Sequence, residues 1–147
     1  MRIIAIMLIC SVARAQPDPV HLTYAVNKTA GKKYEIHIRA TLDNGWHIYS
    51  QLQPAEAIAR PTKIEWVKNP LVILSGSTKE IGRKEKYENK EAGIVQFQYG
   101  AACEFVQALT LKAKVKTNMA GLITYQVCTD KMCLPPKTVE FKVGLNQ

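Results

Sequence analysis

Apolar and polar residues alternate with a period of two along much of the chain, while helical spacing is nearly absent. The clearest run sets Tyr34, Ile36, Ile38, Ala40 and Leu42 against Glu35, His37, Arg39 and Thr41, which predicts a half-buried strand. His21 to Val26 predicts a shorter strand before it. Asp43-Asn44-Gly45 then turns the chain into Trp46-His47-Ile48-Tyr49-Ser50. A two-residue Asn-Gly loop would put Leu42 opposite His47 and mix the faces. A three-residue loop with Gly45 left-handed puts Leu42 opposite Trp46 and Ala40 opposite Ile48, so a hairpin of that kind is expected. His47 and Tyr49 then share the polar face with Arg39 and Thr41. His37 faces Gln51 in this register and His47 faces Thr41, roughly 13 Å apart along the strands.

Pro54 to Pro61 suggests one helical turn in a crossover, and Ile64 to Val67 and Leu71 to Leu74 read as short apolar strands. Ser75 to Ala92 has no hydrophobic period and is crowded with Lys79, Glu80, Arg83, Lys84, Glu85, Lys86, Glu88, Lys90 and Glu91. It is expected to be structureless, as a functional lid or a mobile loop. Ile94 to Tyr99 resumes as strand. Phe105 to Thr117 predicts a long one, with Leu109, Leu111, Ala113 and Val115 inward and Lys112, Lys114 and Lys116 outward. Gly121 to Val127 and Val139 to Val143 alternate again on either side of a tight connection, as a hairpin would. Seven to nine short strands with almost no helix indicate an all-β fold, an immunoglobulin-like β-sandwich. The antibody-type cysteine pair flanking a tryptophan is missing, so apolar packing must hold the two sheets together.

Residues 1–15 carry Arg2, an apolar run from Ile3 to Val12 and Ala13-Arg14-Ala15, the pattern of a secretory signal peptide. Cleavage leaves a single domain at 16–147. No later stretch approaches the ~20 apolar residues of a membrane span, and a soluble mature chain is expected. Removing Arg2 and Arg14 lowers the net charge from +8 to +6. An exported protein rarely meets nucleic acid, so the excess charge reads as a solvated basic face. Asn27-Lys28-Thr29 matches a glycosylation sequon, a three-residue pattern of low specificity. With only three histidines, and His37 and His47 too far apart along the strands to bind one ion, no zinc or copper site and no cofactor is expected.

Export also implies an oxidising compartment, where neighbouring cysteines pair. Cys128 and Cys133, with four residues between them, stand at the expected hairpin tip, where facing Cα atoms come within disulfide reach. Closing so short a loop removes little chain entropy, about 2 kcal/mol, so such a bond can open without unfolding the sandwich. Lys131 between the sulfurs would favour a thiolate and Asp130 would oppose it. Cys103 has inward parity and reads as a buried free thiol, with a regulatory or misfolding-prone third thiol as the alternative. Spacing alone leaves a structural staple and a redox pair both open.

The stretch Tyr125-Gln126-Val127-Cys128-Thr129-Asp130-Lys131-Met132-Cys133-Leu134-Pro135-Pro136 resembles the signature of the amino-terminal periplasmic domain of the thiol:disulfide interchange protein DsbD. Asn44-Gly45-Trp46-His47-Ile48-Tyr49-Ser50 resembles the Gly-aromatic-x-x-Tyr strand of the same family, and the similarity runs from about Val20 to Val143. The resemblance implies an immunoglobulin-like domain that relays electrons in the periplasm. The donor would be a thioredoxin-fold protein or domain. The acceptor would be a periplasmic disulfide isomerase or a cytochrome c maturation thioredoxin, and a membrane-embedded protein would be a further partner. Cys133 would form the mixed disulfide and Cys128 would resolve it, with His47, Tyr49 and Tyr125 supporting them. Two features depart from the family: four residues rather than five separate the cysteines, and the region matching the cap, Lys79 to Arg83, offers only Ile81 as apolar cover. The chain ends at Gln147 without a membrane core, so the electron source is expected on a separate polypeptide unless the sequence is a fragment. A non-catalytic exported binding module with a structural disulfide is the rival from another class, and an assembly subunit using the basic face is a third.

Overall fold

The computed structural model describes residues 18–146, so the expected signal peptide over 1–15 lies outside the described residues. Nine strands form two sheets: β1 (Val20–Ala30), β2 (Lys33–Leu42), β3 (His47–Tyr49), β4 (Lys63–Trp66), β5 (Val72–Asn89), β6 (Ile94–Leu111), β7 (Thr117–Tyr125), β8 (Val127–Cys128) and β9 (Lys137–Leu145). The larger sheet runs β1-β2-β6-β3-β8 with β5 on the other edge of β6, and the smaller runs β4-β7-β9. This is an immunoglobulin-like β-sandwich, as expected.

Period-two patterning builds the core. Tyr34, Ile36, Ile38, Ala40 and Leu42 of β2 point inward, meeting Phe105, Leu109 and Leu111 of β6 and Met119, Ile123, Phe141, Val143 and Leu145 of the opposite sheet. Phe141 also links the layers, stacking on Tyr24 of β1 and meeting Trp66 of β4 edge-on. Gly121 is required where β7 passes between β4 and β9. A Cβ there would lie 2.5 Å from the Phe141 ring and 2.8 Å from the Glu65 carbonyl oxygen. Because the second obstacle is backbone, Gly121→Ala should cost about 1–3 kcal/mol or more, seen as a lower urea midpoint. An unchanged midpoint would mean that the sheet yields there.

Four expectations give way to the structure. The Asp43–Trp46 segment does turn, with the Trp46 N–H donating to the Asp43 carbonyl and Gly45 at φ +83°, but β2 and β3 do not form a hairpin. Both lie antiparallel along one edge of β6, β2 against Ala102–Thr110 and β3 against Gln98 and Tyr99. The turn is a lateral step within one direction of travel, because β6 is long enough to pair both. His37 consequently faces Val106, and His47 faces Cys128 in β8.

The charged run 75–92 is not structureless either. Most of it is β5, paired to β6 as far as Asn89↔Ile94. Its charges alternate on an exposed edge strand, so no apolar side announces it, and edge charges of this kind deter pairing with other chains. The strand expected to end at Thr117 ends at Leu111, and residues 112–116 are exposed. Pro54 to Pro61 forms turns rather than a helical turn.

Candidate functional site

The β7–β9 hairpin closes at Tyr125↔Lys137, below the expected tip. Beyond it Val127 and Cys128 cross to the larger sheet, where Val127 faces Ile48 and Cys128 faces His47. Cys128 is bonded to Cys133, which lies opposite it on the far side from His47. His47, Cys128 and Cys133 therefore follow one another across the sheet. The bridged turn is closed by the Thr129 N–H donating to the Met132 carbonyl at 2.7 Å and by the Lys131 and Met132 N–H groups donating to Thr129 Oγ1. The Leu134 N–H donates to the Val127 carbonyl, fixing the return.

The two sulfurs differ in access. Cys128 is 3% exposed and packs with Tyr49 and Ala59, whereas Cys133 is exposed on the turn. Beside them lies a hollow of about 270 Å³, lined by His47 and Tyr49 of β3, Gln96 and Gln98 of β6, Tyr87 of β5, and Ile58, Ile94 and Met132 at its margin. The β3 wall is fixed at its exit. Thr62 donates to the Tyr49 carbonyl at 2.6 Å, and the Gln53 amide both donates to the Phe97 carbonyl and accepts from the Phe97 N–H. Burial pushes the Tyr49 hydroxyl up, against the Gln96 amide, which favours its ionised form.

Of the residues singled out from sequence, Cys128, Cys133, His47 and Tyr49 come together at the hollow. Tyr125 does not line it: it faces the core, and its hydroxyl donates to Asp18 at 2.9 Å, where Lys137 also reaches the same carboxylate. Tyr125 thereby braces the base of the hairpin. Ile81 is exposed on β5 opposite Glu104 and is not part of the hollow's lining. The aromatic beside the site is Tyr87, six residues further along β5. Its signal in sequence is a lone aromatic within a run of charges, and the signal for Gln96 and Gln98 is a pair of amides alternating with the apolar Val95 and Phe97.

Cys103 is a buried free thiol in the core, as its parity suggested. Burial, with the nearby Glu80 charge, pushes it up to about 12, so it stays protonated and inert. His37, between Glu104 and Glu35 and bonded to Asn27, lies away from the hollow. Among the described residues no three metal-ligating side chains converge.

The reduced amino-terminal domain of DsbD from Neisseria meningitidis is similar over 88% of this chain and 87% of its own, with 18% identity and a TM-score of 0.55. The amino-terminal periplasmic domain of ScsB from Proteus mirabilis is similar over 88% of this chain at 17% identity and TM-score 0.59, and this chain spans 47% of that one. The complex between the DsbD and PilB amino-terminal domains of Neisseria meningitidis contains a match at 19% identity and TM-score 0.46, over 74% of this chain and 73% of that one. No curated protein matches the chain. The family model described as thiol:disulfide interchange protein DsbD, N-terminal, matches residues 14–145, and the chain belongs to that family.

Proposed function

We propose that this domain is a periplasmic thiol-disulfide interchange module whose working pair is Cys128 and Cys133. The observation that carries the reading is the unequal access of the two sulfurs: an incoming thiolate reaches the exposed Cys133 and not the buried Cys128. Attack by a donor thiolate at Cys133 forms a mixed disulfide and releases Cys128, and the donor's second thiolate completes the reduction. Toward an acceptor, Cys133 attacks the acceptor's disulfide and Cys128 then attacks Cys133 to expel the acceptor reduced. The bridge closes a short turn and contributes only about 2 kcal/mol in the loop-entropy model, so opening it leaves the apolar core to hold the fold. The partner class is a thioredoxin-fold protein or domain as electron donor, with a periplasmic disulfide isomerase or cytochrome c maturation thioredoxin as acceptor. In this reading a signal peptide at 1–15 exports the domain to the periplasm.

The reduction potential of the pair tests this. The domain, with Cys103→Ala to remove the third thiol, is equilibrated in thiol buffers, alkylated and weighed. A value of about −200 to −270 mV with the reduced form folded is expected for an exchanging dithiol. A value below about −300 mV would identify a structural staple and favour the binding-module reading.

A further inference from the structure

The mechanism above leaves the histidine at the site unused. His47 and Cys128 are direct cross-strand partners on β3 and β8, so their Cβ atoms lie about 4.5–5.5 Å apart. Both side chains line the same hollow. The imidazole lies over Gly100, where a Cβ would sit 3.6 Å from its Cδ2 and 3.9 Å from its Nε2. The glycine leaves room for the ring to lie against β6. Neither ring nitrogen has a hydrogen-bond or ion-pair partner among the described residues. A half-buried imidazole with both nitrogens uncommitted thus stands beside the sulfur that leaves when Cys133 is attacked.

We propose that His47 is the acid–base group of this disulfide, holding the proton that Cys128 takes up when the bond opens and gives up when it closes. The inference rests on the redox reading for its biological use, though not for its test. A donor thiolate attacks Cys133 Sγ, the donor–Cys133 bond forms as the Cys128–Cys133 bond breaks, and the electron pair leaves on Cys128 Sγ. The His47 imidazolium passes its proton to that sulfur and becomes neutral. The donor's second thiolate then attacks its own sulfur in the mixed disulfide. The donor departs as a disulfide, having supplied two electrons, and Cys133 takes a proton from water. In the closing direction neutral His47 removes the proton from Cys128 as that sulfur attacks.

Position explains why Cys128 needs such a group and Cys133 does not. Cys133 is exposed, and water can serve it directly. Cys128 is 3% exposed between His47 and Cys133, so a bare thiolate formed there would be poorly hydrated. The other titratable or charged groups around the hollow are Tyr49 on β3, Tyr87 on β5, and Asp130 and Lys131 on the bridged turn. Of these residue types, imidazole is the one that ordinarily exchanges protons between about pH 5 and 8.

The test is the rate of opening by dithiothreitol, corrected for its thiolate fraction, from pH 5 to 9. For the wild-type domain the corrected rate should fall between pH 5 and 9, because the proton offered to Cys128 is lost. His47→Gln should give a flat profile, at least about tenfold slower than wild type at pH 5.5 and close to it at pH 9. His47→Phe, which keeps a ring over Gly100, should behave like His47→Gln, and circular dichroism checks that each variant is folded. Asp130→Asn should keep the wild-type inflection. A flat wild-type profile, or one that survives in both His47 variants, overturns the proposal. Dithiothreitol opens a structural bridge as well as a redox one, so this outcome is separate from that of the reduction potential.

Discussion

Replacing Cys133 with serine is expected to abolish exchange with a thioredoxin-fold domain, while Cys128→Ser traps that domain in a stable mixed disulfide. The asymmetry follows from access. In Cys128→Ser the remaining thiol is the exposed Cys133, which attacks the partner's accessible sulfur, and the mixed disulfide persists when the partner's own second cysteine is also replaced, because both resolving sulfurs are then gone. In Cys133→Ser the remaining sulfur is Cys128, 3% exposed and walled by Tyr49 and Ala59, and a partner cannot bring its own sulfur into line with it. Both variants lose the bridge at a cost of about 2 kcal/mol and should stay folded on their core. Non-reducing electrophoresis and mass spectrometry would read the outcome after mixing with a thioredoxin-fold domain whose second cysteine is serine and whose first carries a nitrothiobenzoate leaving group. Capture by Cys133→Ser instead of Cys128→Ser would reverse the assigned roles. Cys103 does not blur the result, since burial keeps its thiol protonated and out of reach.

What the sequence revealed depended on whether a residue's neighbours along the chain were also its neighbours in space. β2 was legible because one face of it is core: Tyr34, Ile36, Ile38, Ala40 and Leu42 alternate without a break. The bridge was legible for a similar reason, since its two cysteines belong to one turn. β5 was not, because it is an edge strand with so few buried positions that alternation has almost nothing to mark. The partner of β3 was hidden as well. Turn chemistry at Asp43–Gly45 was read correctly, but only the length of β6 decides whether the chain reverses or steps sideways along the same edge. That step brings His47 to Cys128 rather than to Thr41. It was likewise invisible that Val127 and Cys128 leave the β7–β9 sheet, because the alternation from Gly121 to Val127 continues across the change of sheet.

Glu80→Ala should destabilise the domain by about 3 kcal/mol or more at pH 7, since three shielded donors lose their acceptor at about 1–3 kcal/mol each. From sequence Glu80 is one charge in a solvated run, yet its side chain is 8% exposed. Ser50 Oγ donates to Oε2 at 2.7 Å and the Tyr99 hydroxyl donates to the same oxygen at 2.8 Å. The Gln51 N–H donates to Oε1, and Lys84 Nζ lies 3.0 Å from Oε2. The half-exposed Lys84 contributes least, and the three uncharged donors contribute most, because each is given to an ionised acceptor shielded from water. Burial raises the Glu80 pKa, but the Gln51 N–H, Ser50, Tyr99 and Lys84 together leave it lowered. The unfolded chain therefore binds this proton at higher pH than the folded one. The stabilisation is complete above the unfolded value of about 4.3 and is lost as pH falls through the folded one. Urea unfolding should accordingly show a gap between wild type and Glu80→Ala that is full at pH 7 and narrows below about pH 4. Ser50 and Gln51 directly follow β3, so the same carboxylate holds the strand that carries His47 and Tyr49. Thiol exchange in Glu80→Ala should slow even at temperatures where the variant is folded. A loss under about 1 kcal/mol, with unchanged exchange, would show that the Thr62 and Gln53 contacts suffice to hold β3 without Glu80.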